Sequence, residues 1–114
     1  MLKDDWLYAG HMFDMGRKAL SFTNGMTKTE YDQDEPLRLA LTHIIQVLGE
    51  AARHISPAFQ EAHSEIPWHE ITGMRNRIVH DYMSVDEDIV WEVVQQDIPS
   101  VVAALGKILP PEDE

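Results

Sequence analysis

Leu37, Leu41, Ile44, Leu48, Ala51 and Ile55 stand four, three, four, three and four residues apart. That alternation places all six side chains on one stripe of an α-helix, and on no single face of a β-strand. Asp34 precedes the stripe as a plausible N-cap and Pro36 falls in the first turn, both favoured where a helix begins. A stripe of five turns must be buried against other apolar stripes, so the rest of the chain has to supply them.

It does so with more helices. Trp6, Ala9, Phe13, Gly16 and Leu20 repeat the same spacing, which predicts a helix from Asp4 to about Phe22. "TNGMTKTEYDQDE" (residues 23–35) interrupts the pattern with Thr, Asn, Gly and acidic residues and reads as a loop. "ISPAFQEAHSEIPW" carries Pro57 and Pro67, leaving room for a short helix around Ala58–His63. Pro67 opens a third main helix, predicted to run through "PWHEITGMRNRIVHDY" with Glu70 in its first turn. "SVDEDI" reads as a loop into a last helix, whose stripe is Ile89, Val90, Val93, Val94, Ile98, Val101, Val102 and Leu105. Pro99 should kink or divide it. With no alternating strand pattern or hairpin turn, the expected fold is an all-α bundle of four to five helices forming one domain over residues 1–114.

Composition narrows the function. Twenty acidic residues against nine Lys and Arg give a net charge of −11, which argues against broad non-specific binding to nucleic acid. Six of the twenty acidic residues lie in "YDQDEP" and "PPEDE", while Arg75 with Arg77 forms a close basic pair, as Arg17 does with Lys18. A locally positive field near residue 77 is therefore compatible with a negative whole. The chain has no cysteine, so disulfides and thiolate metal sites are excluded. "MLKDDWLYAG" has an acidic pair where a signal peptide needs basic and then apolar residues, and no apolar run is long enough to span a membrane. The expected location is the cytoplasm.

Six histidines raise the question of a metal, but none has an acidic residue three positions before it and no His-x-x-x-His occurs. Glu50–His54 and Glu65–His69 read as helix-surface contacts. No metal and no cofactor is expected, and no glycine-rich nucleotide loop follows a strand. In "GEAARHIS", Glu50 and Arg53 lie beside the apolar stripe, and Gly49, Ala51 and Ala52 read as a small-residue packing contact.

The stretch "MRNRIVHDYM", residues 74–83, gathers two arginines, an asparagine, a histidine and a tyrosine within eight positions. On a regular helix Arg75 and Tyr82 lie about 20° apart, and Asn76 and Arg77 are one turn from His80. Arg75 and His80, five residues apart, would point about 140° away from each other. They converge only if the helix ends or bends near His80, or if two copies of the chain face each other. Otherwise the histidine is a helix-end residue favoured by the helix dipole, with surface arginines around it.

"RNRIVHDY" matches an R-x4-H-x-Y pattern and, with "IPWHEITGMRNRIVHDYMSVDEDIVWEVVQQDIP" and "VLGEAARHIS", resembles the HepT-like toxins, a branch of the HEPN ribonucleases. The resemblance spans most of the chain and is weakest in residues 22–36. It implies a helical homodimer that sets two R-x4-H segments across a shared cleft. It also implies a metal-independent endoribonuclease in a type VII-like toxin–antitoxin system. Arg75 and His80 carry over as the catalytic pair, with Asn76 as their support; Arg77, the other half of the basic pair, is a possible RNA contact. The implied partner is an MntA-like nucleotidyltransferase antitoxin that transfers AMP from ATP to the motif tyrosine, here Tyr82.

These residue types suit that chemistry. RNA carries its own nucleophile in the 2′-hydroxyl. A histidine titrating near neutral pH can move the proton, and an arginine can meet the charge that builds on phosphate. AMP on Tyr82 would add bulk and negative charge where substrate phosphate must bind. The alternative expectation is a catalytically weak dimeric partner of a nucleotidyltransferase, with Tyr82 as a docking or modification site; the net charge of −11 favours it.

Overall fold

A computed structural model describes residues 3–81 and 84–110, with only the backbone described for Lys3, His80 and Asp81. Among the described residues the architecture is all-α. The elements are α1 (Lys3–Thr23), α2 (Lys28–Asp32), α3 (Glu35–His54), α4 (Pro57–Ala62), α5 (Trp68–Ile78), a short antiparallel pair β1 (Val79–Asp81) and β2 (Ser84–Val85), α6 (Glu87–Glu92) and α7 (Ile98–Ile108). A π-helical turn, Val93–Asp97, joins α6 to α7.

α3 is the centre of the bundle, packed between α1 and α5, and α7 covers the other side of α1. Its start is capped as its sequence implies: the Asp34 carboxylate accepts a hydrogen bond from the Leu37 amide at 3.0 Å, and Pro36 sits in the first turn. Leu41, Ile44, Leu48, Ala51 and Ala52 are buried along it. α1 runs antiparallel to α3, which brings the buried Asp5 to the far end of α3. There its carboxylate accepts from the Ser56 amide at 2.8 Å and the Ser56 hydroxyl at 2.7 Å. The same hydroxyl accepts from the Phe59 amide, so one serine caps α4 and ties it to α1.

Three sequence expectations are corrected. The buried face of α1 is Ala9, Met12, Gly16 and Ala19, rotated away from Trp6, which is 37% exposed and meets Phe59 edge-on. At Gly16 a Cβ would lie 2.6 Å from the Val102 methyl of α7, so the two helices meet where no side chain intervenes. Residues 23–35 are not all loop. Thr27 and Glu30 form a reciprocal capping box that starts α2, and Tyr31 is fully buried with its hydroxyl donating to the Glu87 carbonyl at 3.0 Å. The third correction concerns α5, which stops at Ile78 rather than continuing through residue 82 and is followed by the β1–β2 pair, where no strand was expected.

Pro99 divides the last helix as expected. Lacking an N–H and clashing with the carbonyl four residues before it, its ring cannot continue a regular ladder, and the preceding turn widens to π geometry. Val93, Val94, Ile98, Val101 and Leu105 remain buried through the change of pitch.

Candidate functional site

α5 is laid against α3 by Trp68, Ile71, Met74 and Ile78, all buried, at intervals of three, three and four. This burial turns Arg75, Asn76 and Arg77 outward, and all three are exposed. Close approach of the two helices is permitted by Gly49 of α3, where a Cβ would already lie 3.4 Å from the Ile71 and Thr72 carbonyl oxygens. Beside this contact a depression of about 290 Å³ opens between the helices. Gln46, Gly49, Glu50 and Arg53 line it from α3, and Thr72, Arg75 and Asn76 from α5.

Arg75 and Asn76 are thus brought together. Arg75 makes no ion pair or side-chain hydrogen bond among the described residues, whereas Arg77 is engaged. Arg77 donates to Asp97 at 2.6 Å and lines a separate depression with Glu70, Met74 and Ser100. Two arginines separated by a single residue therefore serve different faces of α5.

His80 lies on β1, beyond the end of the helix; its side chain, like Tyr82 as a whole, lies outside the described residues. The backbone change is plain at Val79, with φ −107° and ψ 116°. The Ile78 carbonyl, left without a helical partner, accepts from the Asp86 amide at 2.7 Å, and Val79 pairs with Val85. The 140° divergence of Arg75 and His80 on a regular helix thus does not apply, because the helix ends between them.

Glu50 and Arg53 are the site residues that motif spacing did not single out. "GEAARHIS" serves two purposes: Gly49, Ala51 and Ala52 are buried packing residues, as read, while Glu50 and Arg53 face the depression. The available signal was a charged pair three residues apart on the polar side of a stripe containing a glycine. Glu50 accepts from Arg53 at 3.4 Å and lies 3.3 Å from His54, whose ring stacks on Tyr8 at 5.3 Å. Two guanidinium groups against one carboxylate leave the mouth locally positive in a chain of net charge −11.

Two depressions of similar volume lie elsewhere. One is a hollow along α1 (Asp14, Arg17, Lys18, Ser21), and the other is a more apolar groove of Trp6, Gly10, Phe13 and Leu109. Neither unites polar groups from two helices. Among the described residues no three His, Asp or Glu side chains are gathered as a metal site, and no helix is long and apolar enough to cross a membrane.

An all-helical bundle with an arginine–asparagine mouth between two helices defines the class, and comparison with known proteins gives the family. The model of the family described as "Ribonuclease HepT-like" matches residues 12–108, and the chain belongs to that family of RNA endonucleases. It is 30% identical over 105 residues to the protein named "Putative RNase TTE0752" of Caldanaerobacter subterraneus subsp. tengcongensis, covering 92% of this chain and 94% of that one. It is 32% identical over 87 residues to "Probable ribonuclease HepT" of Thermococcus cleftensis, covering 76% and 79%. No solved structure matches the chain significantly.

Proposed function

We propose that this ribonuclease is the toxin of a toxin–antitoxin pair and cleaves RNA without a metal, through Arg75 and His80 at the cleft of a homodimer. The observation that carries the reading is the depression between α3 and α5. There Arg75 and Asn76 stand exposed beside a second guanidinium, five and four residues before a histidine on which the chain has already left the helix.

In this mechanism the RNA 2′-hydroxyl attacks the adjacent phosphorus and the 5′-oxygen leaves, giving a 2′,3′-cyclic phosphate and a 5′-hydroxyl. His80 of one protomer takes the proton from the 2′-oxygen, and His80 of its partner returns one to the leaving 5′-oxygen. Arg75 presents a fixed fork of donors to the phosphate oxygens as their charge grows, and Asn76 adds a neutral amide beside it. Arg77 would contact RNA only by giving up Asp97. The antitoxin is an MntA-like nucleotidyltransferase. It directs the Tyr82 oxygen onto the α-phosphorus of ATP, so that AMP becomes attached and pyrophosphate leaves. The new phosphate then competes with RNA for the arginines.

The deciding experiment incubates the purified protein with RNA in EDTA, beside Arg75→Ala and His80→Ala. The reading requires cleavage with cyclic-phosphate ends in the unaltered protein alone. Tight binding of the nucleotidyltransferase with no cleavage by any of the three would instead establish the chain as a dimeric docking partner.

A further inference from the structure

The motif in α5 accounts for one arginine at the mouth, but the fold supplies two. Arg53 reaches the depression from α3 with 66% of its side chain exposed, held by a single 3.4 Å contact to Glu50. Glu50 is itself shared, its other oxygen lying 3.3 Å from His54. Folding does not require this arrangement, since exposed pairs three residues apart contribute little stability. It also brings a second cation to the mouth that already holds Arg75, where each repels the other until an anion arrives. Apart from Glu50 the groups around them are neutral: Gln46 and Asn76 are amides, and the Thr72 hydroxyl donates to the Trp68 carbonyl at 2.9 Å.

We propose that Arg53 is a second phosphate-binding residue of the site, holding the backbone phosphate next to the one that Arg75 engages. The inference rests on the ribonuclease reading above. Packed helix axes are on the order of 8–10 Å apart. Long side chains from two such helices suit successive phosphates of one strand better than two oxygens of a single phosphate. Glu50 is a positioning residue: it keeps the Arg53 guanidinium over the mouth through a contact weak enough to yield to phosphate. A two-phosphate grip also explains how a chain of net charge −11 can retain a polyanion: attraction is confined to one strand segment.

The test uses the full chain and two probes. The first is a 2′-O-methyl RNA octamer, uncleavable because the nucleophile is blocked, bound at increasing KCl concentration. Arg53→Gln should weaken binding by about tenfold and make the slope of log affinity against log salt shallower by about 0.7, the loss of one phosphate contact on a single strand. Arg53→Lys, which keeps the charge, should retain the slope. The second probe is a dinucleoside monophosphate, which has only the scissile phosphate. Its cleavage should fall far less with Arg53→Gln than that of an unmodified RNA octamer, whose KM rises. An unchanged salt slope, or equal losses on both substrates, overturns the assignment while leaving the ribonuclease reading intact. Failure of the unaltered protein to bind or cleave RNA overturns both.

Discussion

The guanidinium of Arg77 donates to the Asp97 carboxylate at 2.6 Å, joining α5 to the π-helical turn that precedes α7. Both side chains are about one-third to one-half exposed, so the pair contributes at most about 1 kcal/mol. Arg77→Gln should lower the free energy of unfolding by no more than that and reduce RNA cleavage far less than Arg75→Gln. Paired chemical denaturation and cleavage assays measure both quantities. A loss of cleavage equal to that of Arg75→Gln would mean that RNA displaces Asp97.

Arg75 is exposed and makes no ion pair or side-chain hydrogen bond among the described residues, so its removal should cost the fold little. Arg75→Ala should shift stability by less than about 0.5 kcal/mol while cutting cleavage and toxicity by on the order of a hundredfold or more. His80→Ala is expected to abolish cleavage with an unchanged thermal midpoint. If His80→Ala unfolds the protein and the soluble remainder still cleaves, the histidine is structural.

Tyr82 is the proposed AMP acceptor, and two other tyrosines serve as internal controls. Tyr31 is fully buried, and Tyr8 is half-buried against His54. After co-expression with the nucleotidyltransferase, mass spectrometry should find AMP on the peptide containing "IVHDY" and on neither other tyrosine. Tyr82→Phe should escape silencing by the transferase while still cleaving RNA. Transfer-dependent silencing of that variant would rule the mechanism out.

Burial, and after it the Glu87 carboxylate, pushes the Tyr31 phenol well above its ordinary value near 10. The folded chain keeps this proton where the unfolded chain releases it. The stabilisation is therefore complete below about pH 10 and is lost as pH rises beyond it, by at most about 1.4 kcal/mol per pH unit. Tyr31→Phe cannot ionise. It should be less stable at neutral pH by about 0.5–1.5 kcal/mol, the hydrogen bond to the Glu87 carbonyl. Its stability should then decline less steeply than wild type above pH 10. Thermal midpoints across that range provide the comparison.

Two glycines of α1 should respond oppositely to alanine. At Gly16 the new methyl would lie 2.6 Å from a stiff valine side chain. Overpacking should outweigh helix propensity there, for a net loss of about 1–2 kcal/mol. At Gly10 nothing lies within 4 Å of the added carbon, so Gly10→Ala should gain up to about 1 kcal/mol. Urea unfolding midpoints distinguish the two signs.

By itself the sequence determined the features that depend on neighbours along the chain. The α3 stripe, its Asp34 cap and the short helix after Pro57 follow from three-and-four spacing and from side chains that satisfy amides within one turn. So does the break before α7, because Pro99 acts on its own helix. Tertiary structure decided what depends on groups far apart in sequence. The close approach of α7 to α1 depends on Gly16 meeting Val102, and Tyr31 is buried where Glu87, fifty-six residues away, accepts its hydroxyl hydrogen bond. α5 ends at Ile78 because the Asp86 amide takes up the free carbonyl, which moves His80 out of the helix on which its spacing from Arg75 had been judged. Arg53 shares a depression with Arg75 only through the packing of α3 on α5. Periodicity identifies the exposed side of each helix, but the group that side meets is set by how the helices dock.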